Sequence, residues 1–234
     1  MRQIILLLFI PLLASAQWQP QISGTRERFR GVSAVNDSVV WASGNRGTVV
    51  RTTNGGASWQ RVTILGADTL DFRDIEAMSA SVAYVLSIGD GAKSRIYKTI
   101  DGGQQWTLSW VNTDPRGFYD AIAFWDESSG LAVGDAVDGR LTLVRTLDGG
   151  KTWTVIPPDR LPPALPGEGA FAASGTCLIA WGKSHAWIGS GVNCARVYHS
   201  TDKGESWSVA STQLTSANTS SGVFSVAFMD ERRG

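Results

Sequence analysis

Thr146–Trp153, TLDGGKTW, decides the fold because the chain repeats it. Thr52–Trp59 reads TTNGGASW, Thr99–Trp106 reads TIDGGQQW and Ser200–Trp207 reads STDKGESW. The shared form is Ser/Thr-x-Asp/Asn-x-Gly-x-x-Trp, and successive copies start 47, 47 and 54 residues apart. Self-similarity at such a period marks a supersecondary unit that buries its apolar face against its neighbours. β-Prone runs precede the copies: Val49-Val50-Arg51, Ile96-Tyr97-Lys98, Leu143-Val144-Arg145 and Val197-Tyr198-His199. The chain is strand-like again after each Trp, as in Trp153-Thr154-Val155-Ile156.

An Asp or Asn beside Gly between two such runs is a strong hairpin signal. The side chains of Asn54, Asp101, Asp148 and Asp202 are expected to accept backbone N–H bonds from just ahead in the turn. Gly56, Gly103, Gly150 and Gly204 are expected to supply positive φ at little steric cost. Trp59, Trp106, Trp153 and Trp207 then lay their rings across the hairpin and into the seam between units. Burying most of one such ring is worth about 2–3 kcal/mol.

These spaced copies resemble the Asp box of BNR-repeat (bacterial-neuraminidase-type) β-propellers, over nearly all of the chain after residue 17. The resemblance implies that the box is a scaffold element on the outer hairpin of each blade, away from a central pocket, and that its acids are not catalytic. The spacing, the inner phrases and the Gly-rich second strands are similar to the photosystem II assembly and stability factor family, which implies a non-enzymatic scaffold that holds a partner protein on the propeller face.

Composition agrees with a turn-rich all-β protein: 26 Gly and 10 Trp, with no long helix-period pattern. Lys and Arg number 21 and Asp and Glu 21, so the basic excess of a nucleic-acid surface is missing. The N-terminus stands apart. Met1-Arg2, the apolar run Ile4–Leu13 and the small residues Ala14-Ser15-Ala16 read as a secretory signal peptide over residues 1–16, too short for a membrane span, followed by a domain over 17–234. The expected location is periplasmic or extracellular. In that oxidising setting a disulfide between Cys177 and Cys194 is the expectation, with two buried free thiols as the alternative. Two Cys distant from His185 and His199 give no metal set. Asn36-Asp37-Ser38 and Asn218-Thr219-Ser220 match the glycosylation sequon.

Each unit opens on a Phe-led phrase: Phe29-Arg30-Gly31-Val32, Phe72-Arg73-Asp74-Ile75, Phe118-Tyr119-Asp120-Ala121, Phe171-Ala172-Ala173-Ser174 and Phe224-Ser225-Val226-Ala227. These are read as innermost strands. Small-residue phrases such as Val40–Gly44 and Leu131–Gly134 follow as second strands, and the third runs into the box. Four strands per unit of about 45 residues suits a propeller blade. The expected blades are 29–61, 72–110, 118–157 and 171–213, with a further one starting at 222–234. Phe228–Gly234 matches Phe124–Gly130 in position and type, and Trp18 reads as a fourth strand without its first three. The sequence is therefore read as an incomplete propeller from a ring of about six or seven blades, a four-bladed ring with ragged ends being the alternative.

Propellers bind ligands at the channel mouth, near the beginnings of the inner strands. Arg30, Arg73, Asp74, Arg116, Tyr119, Asp120 and Glu168 are the candidates there. Such a collection suits a glycosidase or an anion pocket; the competing reading has the acids fixing backbone and the Arg residues solvated. The first function expected is a protein-binding scaffold without catalytic residues or cofactors. The alternative is a glycoside hydrolase, sialidase-like or xyloglucanase-like, with acids partly outside this sequence. Against sialidase chemistry, Phe29-Arg30 is followed by Gly31-Val32 and not Ile-Pro. A carbohydrate surface on Trp110 or Trp125 is a third reading. An oxidoreductase role gains nothing: Gly189-Ser190-Gly191 runs on to Cys194 without a dinucleotide fingerprint.

Overall fold

The computed structural model of the chain describes residues 19–173, 175–216 and 218–234. The expected signal peptide and Trp18 lie outside the described residues. Among the described residues sixteen strands form four antiparallel four-stranded sheets, each in sequence order. The first holds β1 (Phe29–Ala34), β2 (Val40–Gly44), β3 (Val49–Thr52) and β4 (Gln60–Val62). The second holds β5 (Asp71–Ala77), β6 (Ala83–Ile88), β7 (Arg95–Thr99) and β8 (Thr107–Val111). The third holds β9 (Tyr119–Phe124), β10 (Gly130–Val137), β11 (Arg140–Thr146) and β12 (Thr154–Val155). The fourth holds β13 (Leu178–Trp181), β14 (His185–Ser190), β15 (Arg196–Ser200) and β16 (Ser208–Ser211). The helical content of the described residues is two single 3-10 turns, Gly91–Lys93 and Pro158–Arg160. Among the described residues no helix is long and apolar enough to cross a membrane.

The repeated octapeptide closes the third-to-fourth-strand hairpin of every sheet, and its hub is the first residue. Thr146 Oγ1 donates to Asp148 Oδ1 at 2.9 Å and accepts the N–H groups of Asp148 and Gly150 at 3.3 and 2.7 Å. Asp148 Oδ1 in turn accepts the Thr152 N–H at 2.9 Å. The same bonds recur around Thr52, Thr99 and Ser200. The residue pair in the turn is left-handed, Gly149 at φ 70° and Gly150 at 77°; in the fourth copy Lys203 takes φ 58° where the others have Gly.

The core lies between sheets, not within one. One cluster joins sheets one and two (Trp41, Val49, Phe72, Ile75), a second joins two and three (Tyr84, Leu86, Ile122, Ala132), and a third joins three and four (Leu131, Leu143, Ile188, Tyr198). Second-strand residues are small because a neighbour's backbone touches them: a Cβ on Gly44 would collide with Arg28 O, and one on Gly134 with Phe118 O. Three of the octapeptide Trp rings, Trp106, Trp153 and Trp207, pack into seams between sheets, whereas Trp59 bonds Gln21 through its ring nitrogen. Trp106 packs edge-on to Trp41 of the preceding sheet with centroids 6.2 Å apart, and Trp153 Nε1 donates to Ser109 Oγ at 2.9 Å.

Two expected inner strands are corrected. Phe171–Ala173 is turn and coil; the innermost strand of the fourth sheet is Leu178–Trp181, which pairs with β14. Phe224–Ala227 forms no strand. It lies against sheet four through Val226 N–H to Thr176 O at 2.9 Å, one bridge joins Gly191 and Gly222, and Phe224 stacks on Phe171 at 3.9 Å. The physical reason is length: the proline-bearing link carries Phe171 past the sheet edge, and the β-prone run Leu178-Ile179-Ala180-Trp181 takes the edge instead.

Candidate functional site

Three inner strands each carry one extra residue. Pairing slips between Phe29 and Gly31, between Phe72 and Asp74, and between Tyr119 and Ala121, so Arg30, Arg73 and Asp120 occupy equivalent β-bulges. A bulge kinks the strand and re-aims a side chain out of the pleat. All three converge on one piece of backbone. Arg30 Nη2 donates to Ala173 O at 3.4 Å, Arg73 Nη1 donates to Ala172 O at 2.8 Å, and the Ala172 N–H bonds to the Asp120 carboxylate. Asp135, at a bulge of β10, accepts the Ala170 N–H at 3.0 Å. The segment 170–173 thus sits where the inner strands begin, held as peptide backbone by side chains of three sheets.

Asp74 is buried and links inner strands, its two oxygens accepting the Ile75 and Ile122 N–H groups, each at 2.8 Å. Burial pushes its carboxyl up to about 6, against those two bonds. Glu76 lies two residues on, on the same face of β5. Burial and then the charge of Asp74 raise it to about 8. Asp120 is raised well above the usual carboxylate range by burial and then by Asp135, and its Oδ2 has no hydrogen-bond partner. Asp135 is raised by burial first and by Asp90. Tyr119 packs edge-on to Trp110, centroids 4.6 Å apart, and burial lifts its phenol to about 12.

Glu168 is not part of this group. It is 2% exposed and ties the proline-bearing link to sheet four: Oε1 pairs with Arg196 Nε at 3.1 Å and accepts the Ser190 hydroxyl at 2.6 Å, while Oε2 accepts the Leu165 N–H at 2.7 Å. Beside it a cleft of about 590 Å³ opens between Asp135, Gly139, Leu165, Pro166, Gly167 and Val192. Arg116 is an exposed arginine clamped by Asp114 and Asp138 at 3.0 and 2.8 Å.

The structure therefore unites Arg30, Arg73, Asp74 and Asp120, and leaves Glu168 and Arg116 to other duties. It adds Glu76 and Asp135. The period-2 spacing from Asp74 signals Glu76; nothing local signals Asp135. The octapeptide residues Asn54, Asp101, Asp148 and Asp202 stay on the outer hairpins, where their own turns hold them. The Thr152 hydroxyl and N–H keep Asp148 down at about 2.

The expected disulfide is corrected: Cys177 and Cys194 are free, buried thiols. They face different surroundings. Cys177 is 0% exposed, its thiol pushed up by burial and then by the charge of Asp120. Cys194 sits in the turn before β15, where its Sγ donates to Gly191 O at 3.1 Å. Among the described residues no group of three or more His, Cys, Asp or Glu side chains could hold a metal ion.

No protein-family model matches the chain, and a search of curated proteins finds no match. Solved structures do match. An ancestral GH74 enzyme aligns with TM-score 0.57 and 18% identity, over 83% of this chain and 25% of that one. The GH74 xyloglucanase from Xanthomonas campestris aligns with TM-score 0.51 and 14% identity, over 73% of this chain and 28% of that one. YCF48 bound to D1 peptide aligns with TM-score 0.47 and 15% identity, over 80% of this chain and 70% of that one. The chain spans about a quarter of the length of the GH74 enzymes it matches. With four successive sequence-ordered meanders and cores between them, these likenesses to enzymes under 20% identical establish the fold alone: an all-β propeller with four four-stranded blades.

Proposed function

We propose that this chain is a secreted BNR/Asp-box propeller that holds a protein segment at the mouth formed by β1, β5 and β9, without chemistry of its own. One observation carries the reading. Arg30, Arg73 and Asp120 bind carbonyl and amide groups of a peptide backbone, that of residues 170–173. Guanidinium groups paired with a carboxylate at this spacing suit main-chain recognition, in which donors and acceptors alternate. The balanced charge of 21 basic and 21 acidic side chains argues against nucleic acid as the partner.

A second reading, glycoside hydrolysis, draws on Glu76 and Asp120, whose raised carboxyls resemble general acids kept protonated near neutrality, with Asp74 as a neighbouring carboxylate. Against it, Asp74 and Asp120 are buried and bonded to backbone. Phage-display selection of peptides on the immobilised full chain, followed by affinity measurement, tests both readings. The expected result is a peptide whose affinity falls about tenfold, or 1.4 kcal/mol, on Arg73→Ala, with no reducing ends released from xyloglucan and no sialic acid from sialosides. Hydrolysis that disappears in Glu76→Gln or Asp120→Asn would establish the enzyme reading instead.

A further inference from the structure

The chain contains two histidines, and both lie in one stack on blade four. His185 Nδ1 and His199 Nε2 are 3.1 Å apart. The His199 ring lies parallel to Trp187 at 4.7 Å, and Phe228 stacks on Trp187 at 3.9 Å. Phe228 belongs to the segment 224–234, which also brings Glu231 to 3.4 Å from His185 Nε2. That segment has a tight turn of its own: Asp230 Oδ1 accepts the Arg232 and Arg233 N–H groups, both at 2.9 Å, and Met229 N–H reaches Arg233 O at 2.8 Å.

We infer that the histidine pair is an acid-opened latch that holds residues 224–234 on blade four. A nitrogen-to-nitrogen contact of this length requires one ring to donate and the other to accept, so the pair holds at most one shared proton across it. A second proton would set two donors and two like charges in contact, partly out of water. The charged groups around the pair relieve this only in part. Glu231 lies 3.4 Å from His185 Nε2, and its charge also favours a proton on His199, but less than burial and His185 oppose one. Asp230 is engaged by Arg233 at 2.6 Å. From blade three, Trp125 Nε1 donates to His185 O at 2.6 Å, while Asp126 and Lys203 pair with each other at 3.0 Å. From β13, Trp181 presents only a ring edge to His185.

Burial and then His185 lower the proton affinity of His199, against the charge of Glu231, which raises it. A histidine held below its unfolded value gives stability that is complete above about 6.5 and is lost as pH falls through that value. The latch is therefore shut at neutral pH and loosens in mild acid.

With two histidines in the chain, NMR titration of the ring protons reads the latch directly. The expected result is two separated steps, the lower one below the ordinary histidine range. Two independent steps near 6.5 would overturn the latch. Hydrogen-exchange protection of amides 226–233 is expected to fall about tenfold between about pH 7.5 and 5.5, and to lose that dependence in His199→Gln. An undiminished fall in a folded His199→Gln protein would also overturn it; if that variant does not fold, the wild-type titration decides alone.

Discussion

Blades two and three meet differently from blade four and the segment that covers it, although the same positions make both contacts. In blade two, Tyr84 pairs across the sheet with Lys98; in blade four, Trp187 pairs with His199. Phe124 stacks on Tyr84 at 4.1 Å, and Phe228 stacks on Trp187 at 3.9 Å. The apolar half of the contact is conserved between the two seams. The polar half is not. Tyr84 OH and Lys98 Nζ both donate to Gly149 O, at 2.9 and 2.6 Å, so the cation finds an acceptor in the next blade's turn. Arg51 does the same to Ala80 O at 2.6 Å, and Arg145 to Lys203 O at 3.2 Å. On blade four the cation position holds a histidine that pairs with another histidine.

The harshest way to break the comparison is to remove the ring that both seams are built on. Tyr84→Ala is expected to cost about 3–5 kcal/mol, because Tyr84 is 0% exposed and its loss leaves a cavity between blades. Urea denaturation checks it, and a cost below about 1 kcal/mol would mean that Phe124 alone carries the contact. Trp187→Ala is expected instead to free residues 224–234 with a smaller change in the midpoint of the main transition.

A milder intervention compares two octapeptide turns with different neighbours. Thr146→Val removes the hydroxyl that organises the turn bearing Gly149, and is expected to cost about 1–3 kcal/mol. Thr52→Val removes the same bonds from blade one, where Gly55 O accepts a long bond from the Gln21 amide, at 3.5 Å. It should cost less. Equal costs would show that each turn acts only within its own blade.

The smallest effect has the most telling sign. Glu76, beside the seam of blades two and three, is raised from 4.5 to about 8. A carboxyl raised on folding binds its proton more tightly in the native state, so it takes stability away as pH climbs from about 4.5 to 8. Glu76→Gln should then raise Tm at about pH 8 and change it little at about pH 4. The histidine pair runs the other way. One seam weakens with rising pH and the other with falling pH, and thermal melts of Glu76→Gln and His199→Gln across the range should diverge accordingly.

The hairpins were legible in the sequence because their causes are local: Thr146, Asp148 and Gly150 complete one another within a single turn. Even there the hydroxyl of Thr52, Thr99, Thr146 and Ser200 escaped attention, although the motif puts Ser or Thr first every time. The Phe-led phrases at Phe29, Phe72 and Phe118 marked inner strands, whereas those at Phe171 and Phe224 did not. The candidate site was half legible. Arg30 and Arg73 were found, but their partners stand 143 and 99 residues away, on a coil whose path no periodicity reports. Glu168 was placed at the mouth because its residue type fits a mouth, whereas Arg196 and Ser190, unremarkable in sequence, draw it into the protein.

The sequence-ordered sheets also set a direction for biosynthesis. Every blade zips from strands that are neighbours in the chain, so it has little loop to close before it forms. Its second-strand apolar residue, however, is covered by residues that follow: Trp41 by Trp106, Tyr84 by Phe124, Leu131 by the Trp207 hairpin, Trp187 by Phe228. A chain growing from its N-terminus therefore always displays one uncovered apolar face, and each new blade both hides the last one and presents the next. The growing propeller carries a single moving adhesive spot, where a chaperone would find it and where a stalled ribosome would leave it.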